Sequence, residues 1–294
     1  MASGSKPKLA CEITADLVLA GRVSERGGTI EMCAAGEVPP GSVVPDLTEP
    51  NLRERSRVAD AIRVTLDIVS GRSRDVIAVL PDTAVRVVLL DFDTLPTNQQ
   101  EAEGLVRFRL KKSLPFDVDK AKISYHAQSS AAGLRLVAAV ALNSVIEDYE
   151  SAFQEAGYAP GVVLPSMLAA LGAANADKPT MVIKVDASTA SIAILDKQQL
   201  LLFRTLENSR GAAITGEQLA EEVYPSLVFF QDTYHLNLDH IFVGGLSDSG
   251  GAIPALRAQT GVQVSELVAA SQLGTSFGAV PKWRMAGVVG ALLS

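Results

Sequence analysis

The chain has 294 residues, enough for about two domains, and 48% hydrophobic and 20% charged residues, a globular balance that can bury a sizeable core. A formal net charge of -7 excludes a general nucleic-acid-coating surface, which needs clustered Lys and Arg to neutralise phosphates. Neither Cys11 and Cys33 nor the histidines His126, His235 and His240 show metal-ligand spacing, and the apolar runs around the cysteines imply buried, reduced thiols.

Met1–Lys8 is polar and small, with no signal-peptide core behind it. The longest apolar runs, Leu136–Leu142 and Met285–Leu293, fall well short of the roughly 20 residues that span a bilayer. The expectation is a soluble, cytoplasmic chain that meets a membrane only through a partner.

Periodicity predicts three strands at Lys8–Thr14, Asp16–Val23 and Thr29–Ala34, then a Pro-rich loop at Val38–Pro50. A helix follows at Leu52–Val69, with Val58, Ala59, Ile62, Leu66 and Val69 on one face. Asp75–Leu80 reads as a central strand covered on both faces, and Val85–Phe92 as another strand. A helix at Asn98–Lys112 ends in Leu114-Pro115-Phe116, and strands follow at Lys122–Gln128 and Leu134–Leu142. Ser144 and Glu147 suggest a capping box opening a helix to Ala156, and Pro165–Ala174 reads as a small-residue helix. Asn175–Pro179 is a polar break.

The second half repeats the opening. Strands are expected at Thr180–Asp186, Thr189–Leu195 and Leu200–Leu206, then a long helix at Ile214–His235, bent at Pro225. An apolar strand, Asp239–Val243, runs into Gly244-Gly245, and helices follow at Gly251–Thr260 and Trp283–Leu293. Each half is thus three strands, a helix and a buried strand, which predicts an α/β fold of two similar lobes around a cleft. A doubly wound fold would alternate strand and helix from the start.

Three stretches carry a family resemblance: Glu101–Phe116 with the strand Lys122–Gln128, Leu136–Leu142 running into Val145–Tyr149 and Phe153–Gly157, and Pro165–Leu171. Together they resemble PilM, the cytoplasmic actin-like protein of type IV pilus assembly, over almost the whole chain. The cell-division protein FtsA and the cytoplasmic part of the type II secretion L-protein are more distant likenesses. The resemblance implies an actin-like, ribonuclease H-like two-lobed fold with an inserted α+β subdomain. The expected division is 1–92 for the start of the first lobe, 93–157 for the insertion, 158–177 for the return helix and 178–294 for the second lobe. It also implies a scaffold of the inner-membrane assembly platform, of a pilus or a related type II secretion system, and so peripheral to that membrane. Its groove between first lobe and insertion would hold the cytoplasmic N-terminal segment of a PilN-type membrane protein. Phe108, Arg109, Leu114, Pro115 and Phe116 are the candidate peptide-binding residues.

Actin-like ATPases hold Mg·ATP between two Asp-x-Gly turns, where glycine lets backbone N–H groups approach the phosphates. Here Glu12 stands at the first Asp and Thr14 at its Gly, while Lys184 stands at the second Asp and Asp186 at its Gly. A cation where a metal-orienting carboxylate belongs, and a carboxylate where phosphate should meet bare backbone, imply weakened or lost nucleotide binding. Lys184 is expected to pair with Asp186 or Glu12 in a dry cleft. Gly244 and Gly245 keep the third element of the site, so an actin-like ATPase or kinase with a divergent ATP site is the alternative. Asp91-Phe-Asp93 reads as two solvated loop acids, and neither a nucleophile elbow nor a P-loop is present, which leaves no catalytic candidate.

Overall fold

The computed structural model describes residues 6–25, 27–130, 133–247, 249–274 and 280–294. Strands β1 (Leu9–Ile13), β2 (Leu17–Val23) and β3 (Ile30–Glu37) form an antiparallel meander. Helix α1 (Arg55–Val69) crosses over to β4 (Asp75–Leu80), which pairs parallel with β1. The predicted stripe is what α1 buries: Val58, Ala59, Ile62, Leu66 and Val69. β4 is buried from Val76 to Leu80, which explains its unbroken apolar run.

The chain then leaves the sheet. β5 (Arg86–Phe92), α2 (Gln99–Leu110), β6 (Ala121–Ser130) and β7 (Gly133–Leu142) make a separate antiparallel sheet of order β5-β7-β6. α2 covers one of its faces, Val106 and Leu110 packing on Leu136, Ala138 and Val140. Next come α3 (Asn143–Glu155) and β8 (Ala159–Pro165), which returns to pair parallel with β4, so that the first sheet reads β3-β2-β1-β4-β8. α4 (Ser166–Ala170) follows.

The second lobe repeats this. β9 (Thr180–Val185), β10 (Thr189–Asp196) and β11 (Gln199–Glu207) form the meander, and α5 (Gly216–Tyr234) crosses to β12 (His240–Gly244). α6 (Ser249–Thr260) leads to β13 (Gln263–Glu266), giving the order β11-β10-β9-β12-β13. Both sheets have the same strand order and the same mix of antiparallel and parallel pairs. α7 (Ala286–Leu293) is apolar all round and buried up to Leu292, as a helix enclosed by protein must be. With α4 it shares a core that joins the two lobes, in which Ala10, Val79, Val182 and Val289 meet.

The structure departs from expectation at several places. β8 and β13 are absent from the periodicity reading. β8 holds Pro160, Gly161 and Pro165, which break a strand pattern but are tolerated on an edge, and β13 is four residues with one buried apolar side chain, Val264. α3 has Leu142 as N-cap and no side-chain cap, because β7 runs straight into it, so the Ser144–Glu147 capping box is not formed. The predicted Pro165–Ala174 helix shortens to α4 and a 3₁₀ turn, and the last helix starts at Ala286 rather than Trp283.

The insertion's limits also shift. β5, assigned to the first lobe, pairs with β7, because Val88, Leu90 and Phe92 bury against α2's core. α3, assigned to the insertion, packs its Val145, Ile146, Tyr149 and Phe153 into the first-lobe core beside Val58, Ile62 and Leu66. Cys11 is buried and Cys33 half-buried, and burial pushes the Cys33 thiol up to about 12.

Candidate functional site

The two meanders turn toward each other at the interlobe cleft with the same backbone geometry. Thr14 N donates to Leu17 O at 2.8 Å in the first turn, and Asp186 N donates to Thr189 O at 2.7 Å in the second. Glu12 and Lys184 occupy equivalent places, each two residues before its turn. Both are buried, at 1% and 5% exposure.

Lys184 Nζ lies 3.2 Å from Glu12 Oε1 and 3.0 Å from Asp186 Oδ2, so it joins both partners expected for it. Ser166, from the start of α4, donates its hydroxyl to the same Glu12 oxygen. Glu12 Oε2 is buried without a hydrogen-bond partner among the described residues, beside Gly287 of α7. A β-carbon at position 287 would collide with that carboxylate, so α7 reaches the cleft only because the residue is glycine.

Asp82 was not singled out in the sequence. It follows β4 through Pro81, accepts Met167 N–H at 2.8 Å, and accepts the hydroxyl of Ser191 on β10 at 2.8 Å. The last bond links the two lobes. A carboxylate just beyond the apolar run Val76–Leu80, after Pro81, is its signal in the sequence. Arg284, just before α7, also went unread because it is remote in sequence. It donates to Asp16 Oδ2 at 2.7 Å and to Thr14 Oγ1 at 3.3 Å, clamping the first turn from the other lobe.

The electrostatics follow from one buried cation among three carboxylates. Burial pushes Glu12 up, and the neighbouring Lys184 offsets this only in part. Asp82 is likewise raised by burial, against Lys184 and its two hydrogen bonds. Burial alone would lower Lys184, but Asp186, Glu12 and Asp82 outweigh it and hold the ammonium above its ordinary value. Partial burial would raise Asp16, yet donation and charge from Arg284 keep it below the usual carboxylate range.

Three features decide whether this cleft fits Mg·ATP. The turn donors are consumed internally: Leu17 N donates to Thr14 Oγ1 at 3.0 Å and Ala187 N to Asp186 Oδ1 at 2.9 Å. These side chains stand where glycine would leave backbone N–H groups for phosphate. Lys184 sets an ammonium against Glu12 and Asp186, the carboxylates that a metal ion would need. Beside Gly244 the hollow toward Lys282 and Trp283 has a volume of ≈ 10 Å³, about one water. Gly244 lies opposite Lys184 in the β12–β9 pairing. Gly245 has φ +83°, and a side chain there would strike Val185 O, so close packing alone requires it. These residues do not fit a magnesium triphosphate.

A second feature lies between the first lobe and the inserted sheet. β8 is the outer strand of the first sheet and β6 the outer strand of the inserted one. Between them is a groove of ≈ 380 Å³, walled by Gly161, Val162 and Leu164 of β8, Ala139 and Ala141 of β7, and Ile146 of α3. Val162 is 39% exposed there, and Gly161 has open space beside it. Lys122 and Glu150 face each other across the groove at 3.6 Å.

The five sequence candidates for peptide binding lie elsewhere. They belong to α2 and its following turn, and α2 covers the Leu136–Ala138–Val140 face of the sheet, whereas the groove uses the Ala139–Ala141 face. Leu114 and Phe116 pack against α2's core, and Arg109 stacks over the Phe92 ring at 5.2 Å and donates to Asp91 O. Pro115 is exposed, as is Phe108 at 68%. What a sequence reading lacked was β8, whose prolines hid the strand that forms the groove.

No protein-family model matches the sequence, and no curated protein matches it. Solved structures do. A chain of the PilM-PilN type IV pilus biogenesis complex superposes with a TM-score of 0.78 at 19% identity, over 98% of this chain and 97% of its own. A Bacteroides thetaiotaomicron protein with actin-like ATPase fold gives 0.52 at 12% identity, over 87% and 88% of the two chains. This chain has the actin-like ATPase fold. The cytoplasmic domain of EpsL, an inner-membrane component of the Vibrio cholerae type II secretion system, gives 0.54 at 10% identity, over 97% and 94%. Among the described residues no helix is long and apolar enough to cross a membrane.

Proposed function

We propose that the chain is a PilM-like scaffold of a type IV pilus or related type II secretion platform, cytoplasmic and peripheral to the inner membrane. It holds the cytoplasmic N-terminal segment of a PilN-type membrane protein in the β6–β8 groove and through it joins the other platform proteins. The observation that carries this reading is the apolar groove between two open strand edges, in a fold that matches a chain of the PilM-PilN complex over nearly its whole length. An extended peptide satisfies its backbone on such an edge and seats alternate side chains in the groove. Calorimetric titration with the N-terminal peptide of a PilN-type protein from the same organism tests it. Saturable binding is expected, and its absence with folded protein contradicts the reading.

In the same reading the interlobe cleft binds neither Mg²⁺ nor ATP. Lys184 bridges the lobes through Glu12 in the place of a bound nucleotide. The alternative, a divergent ATPase or kinase, draws on the two-lobed fold and on Gly244 and Gly245, and close packing already accounts for Gly245.

A further inference from the structure

The inserted sheet has a second groove on its opposite edge. β5 is the outer strand of that sheet, and β11 is the outer strand of the second-lobe sheet. The two run side by side without forming a ladder. Hollows of ≈ 540 Å³ and ≈ 360 Å³ lie along them and share Arg86, Val87, Phe203 and Arg204, so they form one continuous groove. Phe229 of α5 stands on its wall at 54% exposure.

One end shows what the β11 edge accepts. The Gln128 side-chain amide donates to Leu200 O at 2.6 Å, and its oxygen accepts Leu200 N–H at 3.1 Å. A side chain thus imitates the two-bond contact of a neighbouring strand. Beside it Arg135 donates to Tyr234 Oη, and Tyr234 Oη donates to Leu201 O, both at 2.8 Å, which closes this end.

The charges that line the groove, Arg86, Arg135 and Arg204 against Asp82, Asp91 and Glu207, are equal in number but unequal in pairing. Of the acids that line the groove, Asp91 is bound by Arg135 at 2.7 Å, and Asp82 is turned inward to Met167 and Ser191. Glu207 stands at the far end. Arg204 has only the Ser226 hydroxyl, at 3.3 Å, and among the described residues neither Arg86 nor Arg204 pairs with a carboxylate. In a chain of net charge -7, the Arg86 and Arg204 guanidiniums, beside the apolar Val87, Phe203 and Phe229, are left to pair with carboxylates from outside. Guanidinium forks match carboxylates bidentately.

We infer that the β5–β11 groove docks an extended acidic segment of a partner protein. Its carboxylates meet Arg86 and Arg204, and its apolar side chains meet Val87, Phe203 and Phe229. This site is separate from the β6–β8 groove and stands whether or not the PilN reading holds.

The test is selection of a phage-displayed random decapeptide library on the full chain. The expected enrichment is of peptides with carboxylates spaced among apolar residues. The strongest peptide, followed by fluorescence anisotropy, should bind Arg86→Glu/Arg204→Glu protein at least about tenfold more weakly and Val162→Glu protein unchanged. Arg86→Gln/Arg204→Gln, which adds no negative charge, should weaken binding in the same direction and guards against misfolding of the reversed variant. Bound peptide should slow amide exchange around Val87 and Phe203. No enrichment over an unrelated protein, a basic or uncharged consensus, or acidic peptides that bind both double variants as well as wild type would each overturn the inference.

Discussion

Lys184 Nζ and Glu12 Oε1 meet at 3.2 Å across the interlobe cleft, from equivalent positions of two duplicated strands. The fold is built so that whatever sits between those positions joins the lobes. Here the joint is a buried ion pair extended by Asp186 and Ser166, with Asp82–Ser191 and Arg284–Asp16 as further ties between lobes.

Lys184→Met should therefore destabilise the protein by about 3–5 kcal/mol near neutral pH, because it leaves Glu12 and Asp82 buried without their cation. Adding Glu12→Gln should recover part of the loss. Urea-unfolding midpoints of the single and double variants measure both, and non-additivity is the expected signature of contact.

The pH dependence has a definite sign. Glu12 and Asp82 are raised by burial, so the folded protein holds protons there that the unfolded chain releases. Their contribution is full below the ordinary carboxylate range and declines as pH rises through the folded values. Lys184, held up by its carboxylates, contributes below the ordinary lysine value and loses that contribution above it. Glu12→Gln should gain stability on wild type as pH rises above the ordinary carboxylate range, read from unfolding midpoints over that rise.

Gly287→Ala introduces a β-carbon against the Glu12 carboxylate. Overpacking at such a site costs about 1–3 kcal/mol. Thermal unfolding should show the loss, and it should shrink in a Glu12→Ala background, where room is restored.

At the β6–β8 groove, Val162→Glu places a charge among apolar walls and should weaken the PilN-type peptide by at least about tenfold, roughly 1.4 kcal/mol, with stability unchanged. Phe108→Ala should leave that affinity unchanged, since α2 lies across the sheet. Calorimetry on the two variants separates the groove from the helix.

Much of this architecture is legible before any coordinates. The apolar runs of β4 and β9 and the repeated three-strand openings predict two matched lobes, because central strands covered on both faces cannot hide their composition. Glu12 and Lys184 are equally legible, since a charge in a buried strand needs a partner. The outermost strands are not: β8 carries Pro160 and Pro165, which only an edge tolerates, and β13 is four residues with Val264 as its one buried side chain. Losing β8 from the reading also lost the groove it walls. Arg284 reaches Asp16 from the far end of the chain, and no local pattern encodes a contact of that range.

Equilibrium titration of the wild-type chain with labelled ATP and Mg²⁺ tests most directly whether Lys184 has taken over the nucleotide's place. The account predicts no saturable binding up to millimolar nucleotide, with the unfolding midpoint unmoved by Mg·ATP. Micromolar affinity would contradict it.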